Sequence, residues 1–213
     1  MSWKYTILMI LLVAVASGGK AHAEQICVDP GGPDMSSDVT GCNYSEAPLM
    51  LAMANELTRM LVQAGHSAYQ TRMANSYISD VARAQFCNGK MGSNGVTVSL
   101  QANAYTSNTA NGTESYYKST VSYALAEAIT NEIVNRLGTQ KRTTQQNTRW
   151  DLMRYTTMPT VVVYPGFITH CAGDAPKMNG RPADFASAIC IALVGMYGGR
   201  AAGCTQARTL TVN

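Results

Sequence analysis

After Ser17 the chain contains no apolar run long enough to cross a bilayer, no internal repeat, no low-complexity tract and no long linker. It also has no C-x-x-C pair, which argues against a zinc knuckle or a thioredoxin-type redox motif. Basic residues are never dense. The one cationic cluster is Lys141-Arg142 with Arg149 nearby, in a polar stretch that reads as a solvated loop. A nucleic-acid partner needs a richer electrostatic footprint than that. Histidine is scarce too, at three residues in the whole chain.

What is present begins with the N-terminus. Lys4 gives a short basic start, Tyr5 to Ser17 is uncharged and largely apolar, and Ala21-His22-Ala23 is a small-x-small signature. That order is the pattern of a secretory signal peptide, and its apolar run falls short of the roughly 20 residues a spanning helix needs. The expected division is therefore a signal peptide at 1–23 and one mature domain at 24–213, secreted or periplasmic, with no membrane association after cleavage. Cleavage removes Lys4 and Lys20 and no acid, leaving 14 of the 16 basic residues against 13 acidic ones, a formal charge of +1 instead of +3. All six cysteines, Cys27, Cys42, Cys87, Cys171, Cys190 and Cys204, lie in the mature part. An even number in an exported chain implies up to three disulfides, and the sequence does not choose among the pairings.

Along the mature chain strands and helices alternate. Ile26-Cys27-Val28 is a short apolar strand ending in Asp29-Pro30-Gly31-Gly32-Pro33, where glycine and proline turn the chain. A helix opens near Ser45-Glu46, with Leu49, Met53, Leu57, Met60 and Leu61 at helical spacing and Gly65 as its stop. His66 to Thr71 reads as a strand, and Asn75 or Ser76 as the cap of a helix running to about Cys87. Val96, Val98 and Leu100 form a strand leading into Gln101-Ala102-Asn103, and Thr113 to Tyr117 another. Val121 to Leu137 is an amphipathic helix ended by Gly138. Thr160 to Tyr164 is a buried strand by its β-branched run, and a last helix spans roughly Pro182 to Tyr197. Apolar strands between helices imply an α/β fold: a mostly parallel, twisted sheet with helices on both faces, in a single domain. Sites in such folds sit at the carboxyl ends of strands. Asp29-Pro30-Gly31, Gln101-Ala102-Asn103 and Tyr164-Pro165-Gly166 should therefore converge.

These strings carry a resemblance. Ile26-Cys27-Val28-Asp29-Pro30-Gly31, Glu46 opening a helix, Thr71-Arg72 with Arg83, Val98 to Ala104, Gly112 to Tyr117 and Met158 to Thr169 occur in the order and spacing of one family. Together they resemble the zinc-dependent N-acetylmuramoyl-L-alanine amidases, over about residues 26–197. The resemblance implies a phosphorylase/hydrolase-like fold. It implies cleavage of the amide between N-acetylmuramic acid and the first L-alanine of the peptidoglycan stem. Zinc would be held by a histidine after Asp-Pro-Gly, by the helix-start glutamate and by a strand histidine, with a last-strand glutamate as base. Such chemistry needs three donors and one open position for an activated water.

The chain departs from that pattern at three of the four places. Gly32 follows Asp29-Pro30-Gly31, Gln101 stands for the strand histidine, and Tyr164 stands for the glutamate. A phenol with an ordinary pKa near 10 is not the same base. Glu46 alone remains as a metal ligand, too little to hold zinc, so no cofactor is expected. A rearranged site drawing on Glu46, His170 and Asp29 or Asp34 is the route by which zinc would return. His66 is expected at the far end of the sheet, and both histidines read as ordinary surface or loop polar residues. The expected cleft is Asp29, Glu46, Gln101, Asn103 and Tyr164. Gln101 and Asn103 read either as hydrogen-bond partners for a sugar or peptide amide or, more often for such residues, as satisfying loop backbone groups. Tyr116, Tyr117, Tyr155 and Tyr164 read either as saccharide platforms or, more often, as edge packing.

Three functions follow. The leading one is an exported amidase-like envelope protein without zinc hydrolysis, binding peptidoglycan or muropeptide fragments or an envelope protein. The second is an active amidase with a rearranged metal site. The third is a structural or assembly component of an envelope machine.

Overall fold

A computed structural model describes residues 23–32 and 38–205. The proposed signal peptide, apart from Ala23, lies outside the described residues, as do Asp34 and the last eight positions. In chain order the elements are β1 (Gln25–Pro30), β2 (Thr40–Gly41), β3 (Tyr44–Ser45), α1 (Glu46–Ala64), β4 (Ser67–Gln70) and α2 (Asp80–Met91). There follow β5 (Val96–Leu100), β6 (Thr113–Tyr117), α3 (Thr120–Leu137), β7 (Lys141–Gln146), α4 (Asp151–Tyr155), β8 (Thr160–Tyr164), α5 (Asp174–Gly180) and α6 (Pro182–Tyr197). A turn of 3-10 helix spans Ala201–Cys204.

Six strands form one sheet in the order β4-β1-β5-β8-β6-β7. β4, β1, β5 and β8 run parallel, while β6 pairs antiparallel with β8 and parallel with β7. The sheet is thus mostly parallel. One face is covered by α1, α3 and α6, whose Met53, Leu57, Leu125, Ile129, Ile189 and Leu193 pack on Val28, Val98 and Val161. The other face carries α2 and α4, through Cys87 and Met91 against Cys27 and through Leu152 and Met153 with Val162. Burial on both faces is why β8 runs apolar from Val161 to Val163 and why even Thr97 and Ser99 of β5 are fully buried.

α1 matches its periodicity. Gly65 ends it with φ of 101°, in the left-handed region, its N–H donating to Leu61 and Val62. The start of α1 is capped from a distance: the Asp38 carboxylate accepts the Ala47 N–H at 3.0 Å. Three disulfides close the chain, Cys27–Cys87, Cys42–Cys171 and Cys190–Cys204. The first staples α2 to β1, and the second pins the β2–β3 hairpin to the loop after β8.

Several elements depart from the sequence reading. Lys141–Gln146 is an edge strand, not a loop; both its faces are largely polar, so it has no apolar alternation to betray it. The cap of α2 is Ser79, whose hydroxyl accepts the Ala82 N–H, rather than residue 75 or 76. β5 ends at Leu100. The short helices α4 and α5 were not anticipated, being too brief for a periodic signal.

Candidate functional site

The carboxyl ends of β1, β5 and β8 meet as expected. Gly31 donates to the Leu100 carbonyl at 2.6 Å, and Gln101 donates to the Val163 carbonyl at 2.9 Å. A Cβ on Gly31 would sit 2.6 Å from Leu100 O and 2.7 Å from Gln101 Cγ, so only glycine lets the loop after β1 approach β5 this closely. Arg72 secures that loop from β4. Its Nε donates to Pro30 O at 3.0 Å, and its Nη2 to Gly31 O at 2.6 Å and Ala47 O at 2.8 Å. One guanidinium thereby ties the end of β1 to the start of α1.

Glu46 enters the floor from the first turn of α1. Its Oε1 accepts the Ala102 N–H at 2.7 Å. Burial lifts its carboxyl from the usual range to about 7, opposed by the Ala102 hydrogen bond and reinforced by nearby Asp38. Beside it the Tyr164 hydroxyl donates to Gln101 Oε1 at 2.8 Å. Burial, with Glu46 close by, drives the Tyr164 phenol well above its ordinary pKa, so it stays protonated. Above this floor opens a cavity of about 620 Å³, lined among others by Gly32, Val39, Glu46, Tyr77, Asp80, Arg83, Gln101, Arg149 and Trp150.

Residues 26–193 match the family described as N-acetylmuramoyl-L-alanine amidase. The chain belongs to that family. It is similar to the amidase CwlM of Mycobacterium tuberculosis, with 34% identity over 166 residues that cover 73% of this chain and 40% of that protein. It is also similar to the amidase LytC of Bacillus subtilis, 30% identical over 160 residues, covering 73% of this chain and 32% of the other. The chain therefore spans less than half the length of these relatives. Among solved structures, amidase AmiC2 of Nostoc punctiforme superposes with a TM-score of 0.74 and 25% identity, covering 81% of this chain and 96% of AmiC2.

Against the amidase pattern, the side chains at the cleft do not fit zinc. Gly32 offers no donor, and its φ of 63° favours glycine. The Gln101 side-chain oxygen is a weak ligand already accepting the Tyr164 proton. Glu46 is the one family ligand retained, and one of its oxygens is committed to Ala102. Among the described residues no three His, Cys, Asp or Glu side chains converge in a metal-binding group. The Glu46–His170–Asp29 set is accordingly not assembled. His170 Nδ1 instead accepts the Asp174 N–H at 3.1 Å in the loop after β8.

Other candidates fall in unexpected places. Asp29 is fully buried beneath the cleft, not in it. Its carboxylate takes Thr71 Oγ1 at 2.6 Å, Ser99 Oγ at 2.7 Å and Arg83 Nη1 at 3.1 Å. A carboxylate so saturated has nothing left for a ligand. Asn103 turns away from Glu46 and lines a second cavity, because the chain leaves β5 at Leu100 and bridges to Phe167. His66 does lie at the opposite end of the sheet, but it is buried, at 5% exposure, its Nδ1 accepting the Glu24 N–H at 3.2 Å. Tyr116 and Tyr164 pack edge-to-face, and both meet Trp150 the same way. Sequence reasoning missed Asp38, Arg149 and Trp150. The first acts through a backbone group, and the others sit in a loop whose partners lie far along the chain.

Proposed function

We propose that this amidase-family chain is an exported cell-envelope protein that binds a peptidoglycan fragment in the cleft above Glu46 without zinc-dependent hydrolysis. One observation carries the reading. Where the family pattern asks for two imidazoles and a catalytic carboxylate, the cleft has a glycine, a glutamine and a tyrosine, the last two hydrogen-bonded to each other.

The chemistry follows from that arrangement. A protonated phenol cannot take a proton from water, and one carboxylate cannot hold a metal in an open tetrahedral site. Binding is another matter. The cavity falls within the size range of ligand sites. It combines the Trp150 and Tyr77 rings with a carboxyl, an amide and the Arg149 guanidinium, groups suited to an amide-rich ligand. Three disulfides and a leader pattern support a secreted or periplasmic setting.

The test is calorimetry with a muramoyl dipeptide, beside a cleavage assay on muropeptides with added zinc. Saturable binding and no release of stem peptide are expected. Zinc-dependent release abolished by Glu46→Ala would overturn the reading.

A further inference from the structure

At the end of the sheet away from the cleft, one buried titratable side chain has no part in the proposed function. His66 stands in the turn between α1 and β4 and is 5% exposed. Its backbone N–H donates to Leu61 O at 3.0 Å. The ring fills the corner where β1 begins and α6 has just ended. Nδ1 accepts the Glu24 N–H at 3.2 Å, and Nε2 lies against the turn after α6, where a Cβ on Gly199 would meet it at 2.8 Å. Burial lowers the imidazole pKa below its ordinary value, against the pull of the Gly198 backbone and the Glu24 charge. Near pH 7 the ring is therefore neutral. Because Nδ1 accepts, the ring proton sits on Nε2.

The partner of that lone pair is the residue that the leader pattern places first after cleavage. Glu24 also opens the sheet: the Ser67 N–H donates to Glu24 O at 3.0 Å, just ahead of the pairing of Gln25 with Ser67. Leader cleavage adds one water across the Ala23–Glu24 peptide bond. The C–N bond breaks, the water oxygen goes to the Ala23 carboxylate, and both its protons go to the Glu24 nitrogen. An amide with one N–H becomes an α-ammonium with three. A hydrogen bond from it to Nδ1 is charge-assisted, roughly twice as strong as the neutral one. The titratable groups that bear on this corner do not compete for that lone pair. The Glu24 carboxylate accepts the Gln25 N–H at 3.3 Å, burial keeps the Tyr197 phenol protonated, and Arg200 donates to Gln63 O at 3.1 Å.

We infer that the corner around His66 is a seat for the processed N-terminus: the α-ammonium of Glu24, freed by leader cleavage, docks on His66 Nδ1 and locks the start of β1 to the α1–β4 turn and the end of α6. The lock reaches full strength only once the leader has gone. With the leader attached, the same nitrogen is an amide and the bond is the neutral one. The inference rests on the export part of the proposed function and not on any ligand in the cleft.

The test starts from the protein purified after export, with its first residue read by mass spectrometry. Glu24 with a free amine is expected. Acylation of that amine at pH 7 should be about tenfold slower in the native protein than in His66→Leu, a factor that one hydrogen bond to a charged group supplies. His66→Asn, which keeps an acceptor near the Nδ1 position, should restore part of the protection. A form that begins at Ala23 returns an amide to the seat. Its melting temperature should fall by about 2–4 °C in the native background and stay unchanged in His66→Leu. Equal acylation rates in the native protein and His66→Leu, or equal temperature losses in the two backgrounds, would overturn the inference. Should His66→Leu not fold, the native protein and the form beginning at Ala23 decide alone, and coincident melting curves refute the seat. A chain that keeps residues 1–23 refutes export and the seat together. A chain that begins at Glu24 with an unprotected amine refutes the seat and leaves the proposed function standing.

Discussion

The Tyr164 hydroxyl donates to the Gln101 side-chain oxygen at 2.8 Å, so two positions that the amidase pattern gives to a base and a zinc ligand satisfy each other instead. Converting both, as Gln101→His with Tyr164→Glu, restores one imidazole and one carboxylate but not the donor missing at Gly32. Zinc content of the purified double variant should stay well below one ion per chain. Adding Gly32→His should not rescue it cheaply. The residue has φ of 63°, and its Cβ would lie 3.0 Å from Asp38 Oδ1 and 3.3 Å from the Ala47 N–H. A cost of about 1–3 kcal/mol is expected in thermal unfolding. Stoichiometric zinc in the double variant would mean that another donor reaches the cleft.

Glu46 ties stability to pH. Its folded pKa of about 7 lies above the ordinary carboxyl value, so the unfolded chain gives up this proton first as pH rises. The contribution of the neutral carboxyl is whole below the unfolded value and is lost as pH climbs through 7. The loss is at most on the order of 3 kcal/mol. Glu46→Gln keeps an oxygen for the Ala102 N–H and removes the titration. Melting curves of the two proteins should nearly coincide at pH 4 and separate above pH 7, with the variant more stable. Coincidence at every pH would show that the carboxyl is not desolvated.

How much of this was legible in sequence depends on where each interaction partner lies. α1 and α6 announce themselves by spacing and by their glycine and proline ends, and the residues that bound them are local. The convergence of Gly31, Gln101 and Tyr164 was also legible, because parallel strands align their carboxyl ends. Asn103 was placed in the cleft beside Gln101, but the backbone leaves the ladder at Leu100 and bridges to Phe167, which no local signal reveals. Asp29 was read as a cleft residue because nothing local reveals that Thr71, Arg83 and Ser99 consume its oxygens. Those partners are set by tertiary packing.

That saturation makes Arg83 a sensitive position. Its Nη1 pairs with Asp29, and its Nη2 with Asp80 at the start of α2. Arg83→Met would leave the Asp29 carboxylate buried without its counter-charge, and a loss of about 3–5 kcal/mol is expected in denaturant unfolding. Asp29→Asn combined with Arg83→Met should cost less than the two single changes summed, because no uncompensated charge remains. Strict additivity would mean that the pair does not interact energetically.

The disulfides should differ in both accessibility and worth. Cys171 is exposed, whereas Cys27 and Cys87 are fully buried, so mild reduction followed by alkylation should label Cys42 and Cys171 first. The Cys42–Cys171 bridge spans 129 residues and Cys190–Cys204 only 14. Chain entropy therefore makes the first the stronger constraint on the unfolded state, by about 1–2 kcal/mol. It also restrains the hairpin in which Cys42 and Asn43 adopt φ of 53° and 63°. That hairpin follows Asp38, which caps α1, and Val39, which lines the Glu46 cavity. Replacing Cys42 and Cys171 by serine should thus lower both the melting temperature and the affinity for muramoyl dipeptide. Removing Cys190–Cys204, which joins α6 to the 3-10 turn, should lower stability alone. Equal affinity losses in the two variants would show that the hairpin does not shape the cleft.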